Sequence, residues 1–376
     1  MLRIALVTNN PPPYRIPVFQ RVGKVPGVDF HAIFCAEREP YRHWDLPPMD
    51  FQHTFLKERI IELRGRYIHN NLDVVPTLKR LAPDVIITDG FYPTQLYAFG
   101  YAAARGIAHV PLTDGTDLSE QALSHVHRIV RRVVFAKSTA FISASVGGRR
   151  LYESYGISPD RCFISHLCID NELFQPQQPH QPKAFDFIFC GRIEAAKGPL
   201  FALETALATA KKIGRKVKIL FVGSGSQEEA IKKAAALHPQ LVDAVFHGFA
   251  TQRELPDLYR SAKVFLFPTR ADVWGVVANE ACAAGLPVIV SPHAGVAGEL
   301  VRDGLNGFVC PMEADQWAQR AAILLQQPDI WRKFSEKSLA QVSEYSFENA
   351  AAGLLAACRA SVPAMEPGRT KVSVSR

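Results

Sequence analysis

Between Ala271 and Ser291 the sequence reads ADVWGVVANEACAAGLPVIVS, an almost wholly apolar stretch interrupted by two acids, Asp272 and Glu280. At roughly 100° per residue, a helix would leave the two carboxylates roughly 80° apart around its axis. They therefore do not share the polar face of a simple amphipathic surface helix. One arrangement that remains is a loop acid followed by a buried helix with one exposed Glu. The other is a pair of acids that address a ligand, and a diol-bearing ligand fits it. Ionised carboxylates accept hydrogen bonds, and a sugar ring or a ribose offers paired hydroxyl donors. The free amides of Gly275, Val276 and Val277 at the helix start would hold phosphate between the two acids.

Two cations complement these acids. Arg192 and Lys197 fall in GRIEAAKGP, directly after an apolar strand and before a helix, flanked by Gly191 and Gly198. Backbone N–H groups and the helix dipole already favour an anion at such a place, and two cations there suit a diphosphate. An isolated Arg/Lys pair is usually a solvated surface; the strand-end position argues the other way. In VGSGS, Gly223 and Gly225 allow close backbone approach, although a plain glycine-rich turn would look the same. Neither the Gly-x-Gly-x-x-Gly nor the Gly-x-x-x-x-Gly-Lys-Ser/Thr pattern occurs, so dinucleotide oxidoreductase and P-loop readings lose support.

The elements that must position these residues alternate. RIALVT, VDFHAIF, DVIITD, AHVPLT and TAFISA read as strands in the first half, separated by helical stretches such as TQLYAFGYAAARG, with a first helix near Pro17. NELFQPQQPHQPKAF, rich in Gln and Pro, reads as a connection between domains. After it, FDFIFCG, VKILFVG, AVFHGF, KVFLFP and PVIVS read as strands between helices such as PLFALETALATAKKIG and GVVANEACAAG. Such alternation predicts an α/β fold of two Rossmann-like domains with parallel sheets, facing each other across a cleft. The expected boundaries are 1–175 for the N-terminal domain and 176–345 for the C-terminal domain. A helix at 346–361 is expected to return to the first, followed by a disordered tail at 362–376.

Composition narrows the class. A chain of 376 residues, 48% of them apolar, can build two cores. No apolar run approaches the roughly 20 residues needed to span a bilayer, and the start, MLRIALVTNN, turns polar too soon for a signal peptide. The seven cysteines (Cys35, Cys162, Cys168, Cys190, Cys282, Cys310, Cys358) lie mostly among apolar neighbours without a Cys-x-x-Cys spacing, the pattern of reduced core thiols in a cytoplasmic protein. A net charge of +7 without an aromatic-basic motif argues against nucleic acid and for small anionic ligands or a membrane surface. The densest basic segment, HVHRIVRRVVFAK at 125–137, puts Arg128, Arg131 and Arg132 beside valines at helical spacing. It is either a half-buried helix with a solvated face or a peripheral contact for acidic lipid headgroups.

Taken in order, GRIEAAKG, VGSG, HGF, ELPDLYRSAKVFLFPT, DVWGVVANEACAAGLPVIVS and GELVRDGLNGFVC resemble the nucleotide-binding domain of retaining glycosyltransferases of family 4, with the GT-B fold. The resemblance is specific in residues 186–311 and looser before them, where TNNPPPYRIPVFQ is similar to the first loop of bacterial members in polysaccharide assembly. It implies that Arg192 and Lys197 bind the diphosphate of a donor, that Asp272 contacts the transferred sugar, and that Glu280 binds ribose hydroxyls. It further implies that backbone near Phe249 meets the base and that the Val276 and Val277 amides meet phosphate. It implies a hexosyl transfer from a uridine diphosphate sugar to a sugar or glycolipid hydroxyl, with no cofactor and no required metal, since no Asp-x-Asp signature occurs.

Three departures stand out. The first acid of the family's Glu-x7-Glu is here Asp272, one methylene shorter, with Trp274 where Phe is commoner. The usual glycine pair of the first loop is replaced near Arg15 and Ile16, so that Arg15 supplies charge or the loop's backbone lies further from phosphate. In place of a histidine after the fourth strand stands LTDGTD, where Asp114 or Asp117 faces the sugar or acceptor, or else caps a helix. On the acceptor side Tyr14, Trp44 and Phe91 are candidates for contact with a sugar, against the alternative of ordinary packing. Two rival functions share these motifs: a sugar-nucleotide 2-epimerase, which needs no acceptor, and a non-catalytic nucleotide-sugar-binding subunit.

Overall fold

A computed structural model describes residues 1–38, 46–63, 66–121, 123–177 and 183–362. Buried apolar runs form the central strands, and shorter, less apolar strands complete the set. In the first half these are β1 (Leu2–Thr8), β2 (Val28–Phe34), β3 (Gln52–Phe55), the hairpin strands β4 (Ile60–Leu63) and β5 (Arg66–His69), β6 (Val85–Asp89), β7 (Ala108–Thr113), β8 (Phe141–Ser143) and β9 (Cys162–Ile164). In the second they are β10 (Phe185–Cys190), β11 (Val217–Val222), β12 (Val242–Gly248), β13 (Ala262–Phe267), β14 (Val288–Val290) and β15 (Gly307–Val309).

The first sheet has the order β3-β2-β1-β6-β7-β8-β9 and the second β12-β11-β10-β13-β14-β15, both parallel; β4 and β5 pair antiparallel apart from them. Each sheet is therefore doubly wound. The chain steps outward from a central strand, then crosses to that strand's other side, and a crevice opens at the carboxyl ends where the order reverses. The reversal lies between β1 and β6 in the first sheet and between β10 and β13 in the second. In the second sheet Phe187, Phe189, Phe221, Val264 and Leu266 bury one face against helices that contribute Leu203, Ala206 and Trp317.

The chain divides into two compact units, Met1–His166 with the helix Phe347–Ser361, and Leu167–Ser346. The division comes nine residues before the predicted 175/176 boundary, for a reason visible in the hydrogen bonds. Asn279 donates to Leu167 O (3.3 Å), Arg260 to Leu173 O (3.1 Å) and Gln175 O (3.2 Å), and Asn171 to Val342 O (3.0 Å). The start of the segment read as a connection between domains is thus fixed to the second unit, by the Leu173 and Gln175 carbonyls and by the Asn171 side chain. The last helix packs with the first unit, where Gly353 lies so close to β9 that an added Cβ would meet Ile164 O at 1.8 Å. The predicted tail lies, from residue 363 on, outside the described residues. All seven cysteines are unpaired and buried. Among the described residues no helix is long and apolar enough to cross a membrane.

Candidate functional site

The loops that leave β10 and β13 flank the reversal point of the second sheet, and they carry Arg192, Lys197 and Asp272. The loop after β10 is braced from both sides. Ile193 N–H donates to Ser224 O (2.9 Å), Gln227 N–H to Ile193 O (3.0 Å) and Arg270 N–H to Ala196 O (2.8 Å). The Glu194 carboxylate accepts from Ser226 N–H (2.8 Å) and Ser226 Oγ (2.6 Å). On this fixed loop the exposed Arg192 guanidinium has no hydrogen-bond partner among the described residues, so its charge is available to a ligand.

The glycines after β11 have a different explanation from the one their spacing suggested. A Cβ on Gly223, at φ +126°, would lie 2.0 Å from Gly191 O, and one on Gly225 would lie 2.4 Å from Ile193 O. Their smallness is consumed by the neighbouring protein backbone, which packs against them as a ligand was expected to. The row continues to β12 through Gly223 N–H to Gly248 O (2.7 Å). Phe249 follows at once with its side chain 74% exposed.

Lys197 and Asp272, assigned by resemblance to the diphosphate and to the transferred sugar, are paired: Nζ lies 2.6 Å from Oδ2, with each side chain about one-fifth exposed. Asp272 is held in place by its backbone, donating to His293 O (3.2 Å) and accepting from Gly295 N–H (2.9 Å), while Oδ1 accepts from Trp274 N–H (3.3 Å). Gly275 then turns the chain at φ +106° into the helix Val276–Ala283; any Cβ there would strike the Phe267 ring at 2.3 Å. The N–H groups of Gly275, Val276 and Val277 find no acceptor among the described residues, as a helix start requires.

Glu280 is buried, which removes the alternative of an exposed helix acid. Tyr259 Oη donates to its Oε2 at 2.7 Å. Burial raises the carboxyl pKa to about 7, opposed by that hydrogen bond. Cys190, at the end of β10, lies near enough for the carboxylate to help raise its thiol to about 12, after burial as the main cause. Sequence reasoning missed Tyr259, because a tyrosine beside Leu255 and Leu258 in a short helix reads as core packing. Trp274 also behaves differently from expectation. Its ring is 1% exposed, donates Nε1–H to Asn279 Oδ1 (2.8 Å) and packs against Tyr345 (5.4 Å between centroids), so it holds the loop from inside and offers no face to a sugar.

In the first unit the candidates converge less. Arg15 is 3% exposed, and its guanidinium donates to Ser165 O (2.9 Å), Ser165 Oγ (3.2 Å), His166 O (3.3 Å) and Asp114 Oδ1 (2.8 Å). Its charge is spent joining the first loop to the ends of β7 and β9, which argues against the alternative in which Arg15 supplies charge to a phosphate. Asp117 pairs with Arg150 (2.9 Å), and the cap of the short helix Asp117–Glu120 is Thr116, whose hydroxyl accepts from Ser119 N–H. Phe91 packs on Phe135 (5.9 Å) with Arg131 stacked over it (4.9 Å), so it is a packing residue. Tyr14 is half-buried in the turn after β1. Trp44 lies outside the described residues. Arg15→Met should lower stability by about 2 kcal/mol, seen as a drop in melting temperature, because it strands three acceptors and Asp114. Nucleotide affinity should be unchanged.

Residues 170–341 match the family model described as glycosyl transferases group 1. A D-inositol 3-phosphate glycosyltransferase of Frankia alni is 29% identical over 245 residues, 60% of this chain and 60% of the relative's length. One from Segniliparus rotundus is 27% identical over 357 residues, 90% of this chain and 76% of that protein. Among solved structures, Anabaena HepE in complex with UDP and glucose superposes with a TM-score of 0.70 at 14% identity, covering 95% of this chain and 99% of HepE. With its two doubly wound parallel sheets the chain has the GT-B fold, and residues 170–341, most of the second unit, match the group 1 glycosyl transferases.

Proposed function

We propose that the protein moves a hexosyl group from a nucleotide diphosphate sugar, of the uridine type, to a hydroxyl of a sugar or glycolipid, in the assembly of cell-surface polysaccharide or glycoconjugate. One observation carries this reading. The reversal point of the second sheet gathers an unpaired guanidinium at Arg192, an ammonium at Lys197, a carboxylate at Asp272 and a helix start with free amides, while Glu280 lies behind them on the same helix. Diphosphate, sugar and ribose need those groups. The Frankia and Segniliparus relatives, by name sugar transferases, and HepE, crystallised with UDP and glucose, support it.

In this reading the anomeric configuration is retained. The acceptor hydroxyl attacks from the face that the diphosphate leaves, and the departing phosphate oxygen takes the acceptor's proton. No protein nucleophile takes part. Arg192 and Lys197 stabilise the negative charge that grows on the diphosphate, the role a metal ion would otherwise fill, so transfer should persist in a chelator. The seven buried thiols support a reducing, cytoplasmic setting. The test is release of uridine diphosphate from a panel of uridine diphosphate sugars, with and without saccharide acceptors, in EDTA. Acceptor-dependent release supports transfer. Loss of donor without any acceptor points to epimerisation or hydrolysis, and binding without turnover to a non-catalytic subunit.

Glu280 adds a pH signature. Its carboxyl is raised from an ordinary 4.5 to about 7, so the folded chain keeps a proton across that window, and the ionised form that accepts two ribose hydroxyls grows as pH rises through 7. Uridine diphosphate should therefore bind about tenfold more tightly at pH 8 than at pH 6. Glu280→Gln should bind more weakly at pH 8 and show no such dependence; the same slope in that variant would assign it to another group.

A further inference from the structure

The helix His125–Phe135 presents two faces of different character. Inward, Val134 and Phe135 are buried and Val130 packs beside them against Phe141, Leu151 and Tyr152. Arg131 also turns inward, to Glu120 and the Phe91 ring. Outward, Val126, Ile129 and Val133 are 68%, 59% and 58% exposed. Their spacing of three and then four residues aligns them in one stripe. Single exposed apolar residues are ordinary on protein surfaces, but three in line on one helix are not explained by the fold of this unit.

Cations frame the stripe. His125, Arg132 and Lys137 are exposed, and no acid occurs between Glu120 and Glu153 in the sequence. The Arg132 and Lys137 side chains have no hydrogen-bond partner among the described residues. An apolar stripe bordered by cations and free of acids matches a surface that is apolar below and anionic above, which is the interface of a bilayer containing acidic lipids. A second copy of the chain fits less well, since pairing this face with itself brings Arg132 and Lys137 onto their own counterparts.

We propose that Val126, Ile129 and Val133 insert at the surface of an anionic bilayer while Arg132 and Lys137 engage the headgroups, making the protein peripherally membrane-bound. The proposal stands independently of the sugar-transfer reading, because binding to lipid needs neither donor nor acceptor. The stripe lies on the helix that packs on Phe91, in the loop just beyond β6 at the reversal point of the first sheet. Docking would hold that edge of the unit at the headgroups.

The test is co-sedimentation of the full chain with vesicles of phosphatidylcholine, alone or with about one-third phosphatidylglycerol. Wild type should bind the anionic vesicles at least about tenfold more tightly than the neutral ones, and high salt should weaken this. Ile129→Asp with Val133→Asp should lose about tenfold or more in vesicle binding with melting temperature unchanged, since both residues are exposed. Arg132→Ala with Lys137→Ala, which cannot disturb a core, should lose the preference for anionic vesicles. Equal binding of wild type and either double variant overturns the proposal. So does no binding to anionic vesicles at low salt, or a wild-type dimer in sedimentation velocity that the Asp variant dissociates.

Discussion

Arg192→Ala is expected to lower acceptor-dependent release of uridine diphosphate about a hundredfold, equivalent to about 3 kcal/mol of transition-state stabilisation, with the melting temperature unchanged. The fold does not depend on this guanidinium. It is exposed, and its loop is braced by backbone bonds and by Glu194, none of which involves the Arg192 side chain. Surface substitutions of that kind typically change stability by less than about 0.5 kcal/mol. The full loss should therefore appear in catalysis and donor binding. Arg192→Lys should recover only part of the rate, because an ammonium restores the charge but not the planar pair of donors that suits phosphate. A large fall in melting temperature would instead mean that the residue is structural.

Lys197→Met and Asp272→Asn should separate binding from transfer, since the two side chains form an ion pair at 2.6 Å that must open before Nζ can reach a phosphate. Lys197→Met should weaken uridine diphosphate about tenfold and lower transfer about a hundredfold, because it removes a cation and leaves the Asp272 carboxylate facing the anion. Asp272→Asn should do the reverse to binding. With its competitor neutralised, Lys197 should hold uridine diphosphate a few times more tightly, as befits a partly exposed pair worth about 1 kcal/mol or less. Sugar transfer should still fall about a hundredfold if the carboxylate acts on the sugar. Calorimetric titration with uridine diphosphate and turnover of a uridine diphosphate sugar read the two effects apart. Weakened nucleotide binding in Asp272→Asn would contradict the competition, and undiminished transfer would remove Asp272 from the site.

The central strands were legible in the sequence because a parallel strand covered on both faces must be apolar along its length, as in Ile4–Val7, Val85–Ile87 and Phe187–Cys190. What escaped were chiefly edges. The strands β3, β9 and β15 close the sheets with three or four residues each, QHTF, CFI and GFV, and the β4–β5 hairpin stands apart from both. Strands with at most one neighbour need no long apolar run, so no periodicity announces them.

The positions of the charged candidates were legible for a related reason. Arg192, Lys197 and Asp272 follow strand ends, and strand ends could be read. Their partners could not. Lys197 meets Asp272 across 75 positions only because β10 and β13 are neighbours at the reversal point. Arg15 reaches Asp114 and Ser165 across 99 and 150 positions, and nothing local reveals that its charge is internal. Trp274 and Phe91 carry the residue types of a sugar platform, yet burial and packing decide their roles.

The most direct test of the account is a calorimetric titration of wild type and Arg192→Ala with uridine diphosphate glucose. The account predicts saturable binding at one site per chain, weakened at least about tenfold in the variant while both proteins melt at the same temperature. Equal affinity in the two proteins would contradict the assignment of the strand-end loop as the diphosphate site. Failure of any nucleotide diphosphate sugar to bind wild type would contradict the account as a whole.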